Sequence, residues 1–294
     1  MYHTFLQGSA FEDSVFSAMF FMAAGRQKGR FMVKAYEELT FSDDFMFCKV
    51  LSTDLELCKD ILQLILGISI REVRLSEAQK TVEVRPEGRG VRFDVYVEDD
   101  NNTVFDLEMQ RRDYSDLPKR SRYYQGMIDT NMIDRGALFK DLKRSYVIFV
   151  CLKDHFDAGL PMYTFENICI QDPKIKLGDD TTKVFLNVSS KADDIPPQLK
   201  EFFDYMMTQK PTGSLTERIE KNVRSVATNE KWRSEYMTLE MKIREEREEE
   251  RRLLLEVIKA LRNGKTEEDL RKSGYASETI SAAREYIRVI EGCL

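Results

Sequence analysis

Two stretches between residues 91 and 110 constrain this chain more than any other part of it. Val91-Arg-Phe-Asp-Val-Tyr-Val97 alternates apolar and polar side chains. Thr103-Val-Phe-Asp-Leu-Glu-Met-Gln110 does the same after the turn-forming run Glu98-Asp-Asp-Asn-Asn102. Successive side chains of a strand point to opposite faces, so each stretch reads as a strand with one apolar face. The short turn predicts that the two strands pair. Asp94 then lies near Glu108 and Gln110 on a shared polar face, while Phe93, Val95, Phe105 and Leu107 belong to the apolar sides of their strands.

Two carboxylates held close repel, and one takes up a proton unless a cation sits between them. A hard divalent metal resolves that conflict, lowers the pKa of a bound water and polarises a phosphoryl oxygen. Carboxylates on the solvent face of a half-buried hairpin are also ordinary, and alternation alone does not separate the two cases. Composition narrows the chemistry. The chain has two histidines, His3 and His155, which leaves little material for a histidine zinc site or a Ser-His-Asp triad. Its five cysteines show no CxxC spacing, which argues against a zinc ribbon and against a secreted disulfide scaffold. A metal here would sit on oxygen ligands, which selects magnesium, manganese or calcium.

Around that hairpin the expected elements alternate between helix and strand. Residues 36–66 carry helical spacing through Leu55, Leu57, Ile61, Leu62 and Ile65, with Thr40 or Ser42 as cap and Gly67 as stop. Val82 and Val84 suggest a further strand before the turn Pro86-Glu-Gly-Arg-Gly90. Residues 117–140 return to helical spacing, and Tyr146-Val-Ile-Phe-Val-Cys-Leu152 suits a strand buried on both faces. Shorter strands are expected at 162–170 and 183–188, and a helix at 198–209. Residues 215–262 hold no proline or glycine and are rich in Glu, Arg, Lys and Leu, which predicts a long charged helix. Two short helices follow, at 266–272 and 277–290. The expected organisation is an extension at 1–31, with Met32 as the expected start, a domain at 32–212 and a helical tail at 213–294. The fold class is α/β with an α-helical C-terminal extension. Within it, residues 264–290 suit a small module that touches DNA, a helical clip or a dimer contact, and the C-terminal helices could support a homo-oligomer.

The whole chain carries a net charge of −6, so binding of a polyanion must rely on a local patch. Residues 111–144 provide one, with nine basic side chains against five acidic ones. Arginines that hold phosphates beside acids that hold a metal are what a phosphodiester enzyme needs. A solvated helix face would show the same charges. No apolar run is long enough to span a membrane, and a reducing cytoplasm fits the cysteines.

Five segments in order carry a resemblance: Phe41-Ser-Asp-Asp-Phe-Met-Phe47, Val91 to Val97, Asp106-Leu-Glu-Met-Gln110, Lys119-Arg-Ser-Arg-Tyr-Tyr124 and Tyr163-Thr-Phe165. Together with Lys231-Trp-Arg-Ser-Glu-Tyr-Met237, they resemble the PD-(D/E)XK nuclease family transposases, a recombination-promoting nuclease group of bacteria. The resemblance implies a restriction-endonuclease-like core, a mixed central sheet flanked by helices, that cuts DNA with Mg2+ (Mn2+ as substitute). It implies Asp94 and Glu108 as metal ligands and catalytic residues, with Gln110 where the motif has lysine and Phe93 where it has proline. A neutral amide cannot be a cationic stabiliser or a base, so Gln110 would orient water or a phosphate oxygen by hydrogen bonds. For a third acid, Asp44 is the first choice, ahead of Glu56 and Glu77; Asp44 equally suits a helix start. Arg111, Lys119, Arg120, Arg122 and Tyr123 are the expected phosphate contacts. A nucleic-acid-binding or scaffold protein that keeps the fold without cutting is the competing reading, and an interaction protein built on the 215–262 helix is a third.

Overall fold

The computed structural model describes residues 34–78, 81–82, 91–112, 114–133 and 136–291, with the backbone alone at 76–78, 81–82, 91–92 and 290–291. The extension at 1–31, Val84 and the turn at 86–90 lie outside the described residues. Those described divide into two compact units, 35–233 and Lys34 with 234–291.

The first unit is built on a six-stranded mixed sheet. Its strands are β1 (Val73–Ala78), β4 (Val95–Asp99), β5 (Val104–Gln110), β6 (Ser145–Cys151), β8 (Thr181–Asn187) and β7 (Met162–Phe165), in that spatial order. The neighbours β1/β4, β4/β5 and β7/β8 are antiparallel, and β5/β6 and β6/β8 are parallel. A separate pair joins β2 (Thr81–Val82) to β3 (Val91–Arg92). The expected hairpin is present. Asp99 closes its turn by accepting from the amides of Asn101 (2.8 Å) and Thr103 (2.7 Å). Asn102 takes the left-handed conformation (φ 60°) that its short polar side chain tolerates.

One expectation about the hairpin changes, and one open alternative closes. The stretch 91–97 is not one strand: β3 ends at Arg92, β4 begins at Val95, and Phe93 packs its ring 5.2 Å from that of Tyr96. The polar face is also not a solvent face, because every residue of β5 is buried. Both faces of the strand lie inside the fold, as expected of the central position between β4 and β6.

Helices cover the sheet. The expected 36–66 helix is a 3-10 turn at Tyr36–Glu38 followed by α1 (Asp44–Thr53) and α2 (Leu55–Leu66). Asp54 divides them, its carboxylate accepting from the Leu57 amide at 3.0 Å as the N-cap of α2. Neither Thr40 nor Ser42 caps α1; the Asp43 carboxylate instead accepts from the Thr40 amide (2.8 Å) and hydroxyl (2.9 Å). Helices α1 and α2 pack on β1, while α3 (Leu117–Met132) packs on β6. Residues paired directly across the sheet share a face, so Tyr96, Asp106, Glu108 and Phe149 all turn to one side. That side carries a core of Phe93, Tyr96, Leu117, Ile128, Phe149 and Phe185 beneath α3. Helix α4 (Pro197–Thr208) follows β8.

The expected long helix is two, α5 (Ser214–Ala227) and α6 (Glu230–Arg262), because Asn229 accepts from the amides of Lys231 and Trp232 and starts a new helix. Helix α5 packs against α1 and α4, and its Arg218 donates to Asp54 at 3.0 and 2.5 Å and to Asp60 at 2.9 Å. In the second unit, α7 (Glu267–Lys272) and α8 (Ser277–Glu291) close a small core of Val257, Ile258, Leu270, Ile280 and Ala283 against the end of α6. Thr266 and Asp269 form a reciprocal capping box for α7. Among the described residues no helix is long and apolar enough to cross a membrane.

Asp54 thus caps one helix and anchors another. Partial burial pushes its carboxyl up, but bonds from Arg218, the Leu57 amide and Asn222 outweigh this and hold it below the ordinary 3.8. Its contribution is present above that value and lost as pH falls through the lowered one. Asp54→Ala is expected to cost about 2 kcal/mol at neutral pH, read by denaturant melts, with the gap from the parent narrowing in acid.

Candidate active site

The site forms where the β4 ladder ends. Beyond Val95 the two backbones no longer pair, and side chains take over. The Asp94 amide donates to Glu108 Oε1 at 2.8 Å, and the Met109 amide donates to Asp94 Oδ2 at 3.0 Å. Each acid therefore holds the backbone of the other strand. Phe93 inserts beside Tyr96, and Asp94 is left half-buried at the edge of the α3-covered face.

Glu108 is buried at 4% exposure, Gln110 at 4% and Asp106 at 0%. These three alternate along β5 and share its α3-facing side. Both oxygens of Asp106 are shut away from water, and no hydrogen-bond donor reaches either. Burial pushes Asp106 well above the usual carboxylate range; a bond to Glu108 pulls it down, and Asp94 raises it further. Burial also pushes Glu108 well up, with the neighbouring Asp106 next in importance. Two acceptors can bond to each other only by holding a proton between them. Asp106 was not among the residues expected to matter. Its place on the same alternation as Glu108 and Gln110 was the available signal; the sequence did not show that this face is dry.

Gln110 is fixed from two sides. Its amide nitrogen donates to the Arg112 carbonyl, and its Oε1 accepts from Arg120 Nη1 at 3.0 Å. Arg120 also donates to the Tyr124 hydroxyl at 3.3 Å. Its guanidinium carbon lies 5.9, 5.5 and 5.7 Å from the ring centres of Tyr114, Tyr124 and Phe149. Arg120 therefore turns inward, whereas Lys119, Arg122 and Tyr123 on the same helix are exposed. Leu117, Arg120, Ser121, Tyr124 and Gln125 recur at three- and four-residue spacing, so Arg120 belongs to the stripe that packs on the sheet.

Asp44 opens α1 beside Arg111 and Arg112 and remains exposed. The surrounding chain raises its carboxyl, Arg111 opposes this, and Asp43 adds to it. Arg111 itself pairs with the buried Asp43, which ties the start of α1 to the end of β5. Glu56 lies on α2, paired with Lys59 at 2.5 Å. The backbone of Glu77 pairs with Tyr96, and its side chain lies outside the described residues. Among the described residues no three Asp, Glu, His or Cys side chains gather closely enough to hold a metal.

Two carboxylates are nonetheless a sufficient protein contribution for magnesium, which keeps several of its waters and takes one or two carboxylates. Asp106 lies buried behind Glu108 with no hydrogen-bond donor on either oxygen, so the corner holds more carboxylate oxygens than donors, a set that suits a divalent cation. The residues present therefore fit the metal.

Residues 42–262 match the PD-(D/E)XK nuclease family transposases, and the chain belongs to that family. The mixed six-stranded sheet with helices on it and helices after it is consistent with the restriction-endonuclease-like fold. Membership points to nuclease- or transposase-related function. No curated protein and no solved structure matches the chain.

The raised carboxyls give a signed pH dependence. A folded-state acid with a raised pKa stays protonated where the unfolded chain ionises, so stability falls as pH rises from the ordinary carboxylate range through the folded pKa. In chelator, the melting temperature of the parent is expected to drop as pH rises above the ordinary carboxylate range. Asp106→Asn is expected to flatten that slope and to melt higher than the parent at pH 8. An unchanged slope would mean that Asp106 does not carry the effect.

Proposed function

We propose that this protein is a magnesium-dependent endonuclease that hydrolyses phosphodiester bonds of DNA in recombination or mobile-element processes, with Mn2+ able to substitute. The observation that carries this reading is the reciprocal tie between Asp94 and Glu108, with donorless Asp106 behind it. Asp94 and Glu108 would hold the ion. When bound, the ion supplies Lewis-acid polarisation of a phosphoryl oxygen and a water made more acidic.

The chain's own residues do the remaining work. Two backbone amides hold one oxygen of each carboxylate, so the pair is oriented before an ion arrives and little reorganisation follows. Gln110 is fixed at both ends of its amide, and its second amide hydrogen and second carbonyl lone pair are what it has to orient a water or a phosphate oxygen. Lys119, Arg122 and Tyr123 on the exposed side of α3 bind the DNA backbone. Arg111 pairs with Asp43 through one nitrogen, and the other donors of this partly exposed side chain face phosphate. Strand β5 and helix α3 carry most of these groups, so the corner owes its precision to packed elements.

The absence of a lysine at position 110 favours the second reading, a protein that binds DNA on this fold without cutting it. Plasmid nicking separates the two. The parent is expected to nick in magnesium and not in chelator, and Asp94→Ala and Glu108→Ala are expected to fall to the chelator level while remaining folded. DNA binding with no nicking by the parent in either magnesium or manganese would support the non-cutting reading.

A further inference from the structure

The nuclease motif that this chain resembles places a lysine two residues after the Glu108 position, and the chain has Gln110 there. The corner nevertheless holds a cation. Arg120 arrives from α3, donates to Gln110 Oε1 at 3.0 Å, and stands among Tyr114, Tyr124 and Phe149. Glu108 and Asp106 both feel its charge. A guanidinium held between aromatic faces keeps its charge and loses most of its freedom. Its neighbours Lys119 and Arg122, by contrast, extend into water.

Gln110 is built to receive it. The Arg112 carbonyl can accept only from the amide nitrogen, so the oxygen of Gln110 must face the other way, toward Arg120. A lysine at position 110 would meet Arg120 as a like charge. Glutamine at 110 and arginine at 120 are therefore complementary choices, and each explains the other.

We propose that Arg120 is the cationic group of the reaction centre, moved from strand β5 to helix α3, and that Gln110 is the positioning residue that aims it. This rests on the nuclease reading above. Arg120 has five N–H donors, and the two named bonds leave others to meet the charge that develops on a scissile phosphate. Gln110 then needs no charge of its own.

The test moves the charge back. Arg120→Gln is expected to lower the single-turnover nicking rate about a hundredfold while DNA affinity changes by less than about threefold. Adding Gln110→Lys to Arg120→Gln is expected to recover most of the rate, since it returns a cation to the strand position. Gln110→Lys alone is expected to lower the melting temperature, because the introduced ammonium and Arg120 would repel. A second readout needs no cutting. Titration with Mn2+ alone is expected to show severalfold tighter binding to Arg120→Gln than to the parent, and a return toward the parent in the double variant, because a nearby cation repels the ion. Equal loss of rate and DNA affinity in Arg120→Gln without rescue would overturn the proposal and leave Arg120 as a phosphate grip. Unchanged Mn2+ affinity in Arg120→Gln would overturn it as well. A parent that never nicks would defeat the nuclease reading, and the Mn2+ titration would still decide whether Arg120 acts on this corner.

Discussion

A carboxyl group taken out of water must find a proton, a donor or a cation, and at this corner of the fold buried Asp106 meets no donor on either oxygen. The Asp94 amide donates to Glu108, the Met109 amide donates to Asp94, and no donor reaches either oxygen of Asp106. The arrangement is costly in a protein that carries no ion, because desolvation penalises each charged form. Much of what surrounds it follows from that shortage. β4 stops at Val95 so that side chains can replace ladder bonds, and Arg120 turns under α3 instead of out toward solvent.

The scaffold holds this corner from several directions. The parallel neighbours β5 and β6 fix the register of Glu108 against Phe149 and of Gln110 against Cys151. Asp43 and Arg111 join the start of α1 to the end of β5, and Asp54 and Arg218 join α2 to α5. These last two are ion pairs at the edges of a packed interior, where geometry matters more than net energy. The first ties a helix that is distant in sequence to the strand that carries the acids, and the second ties two helices of the surrounding scaffold to each other.

Much of the fold was legible in the sequence, and the reasons for the exceptions are physical. Period-two alternation revealed β5 and most of β4, and continuous apolar character revealed β6. The resemblance named the two acids that the structure ties together. Alternation could not reveal the break at Phe93 and Asp94, since that break is made by long-range bonds to Glu108 and Met109. It also left open whether the polar face of β5 meets solvent, because a strand pattern records which residues share a face and not what covers it. Helix α3 covers it, which is why Asp106 was passed over. Arg120 looked like one more member of a basic run; only packing distinguishes it from Lys119 and Arg122. Helices α5 and α6 read as one because no glycine or proline separates them, and the Asn229 cap is a quieter signal.

The most direct test of the central claim, that a divalent cation is held between Asp94 and Glu108, is to locate the ion chemically. Protein loaded with Fe2+ in place of Mg2+ and exposed to ascorbate and peroxide is cut along its own backbone close to the bound ion, and the fragments can be mapped by mass spectrometry. Cuts clustered beside Asp94 and in 106–110, suppressed by excess Mg2+ and lost in Glu108→Gln, are the predicted result. Cuts centred on another acidic part of the chain, such as the 154–157 loop, or cuts indifferent to Glu108→Gln, would contradict it.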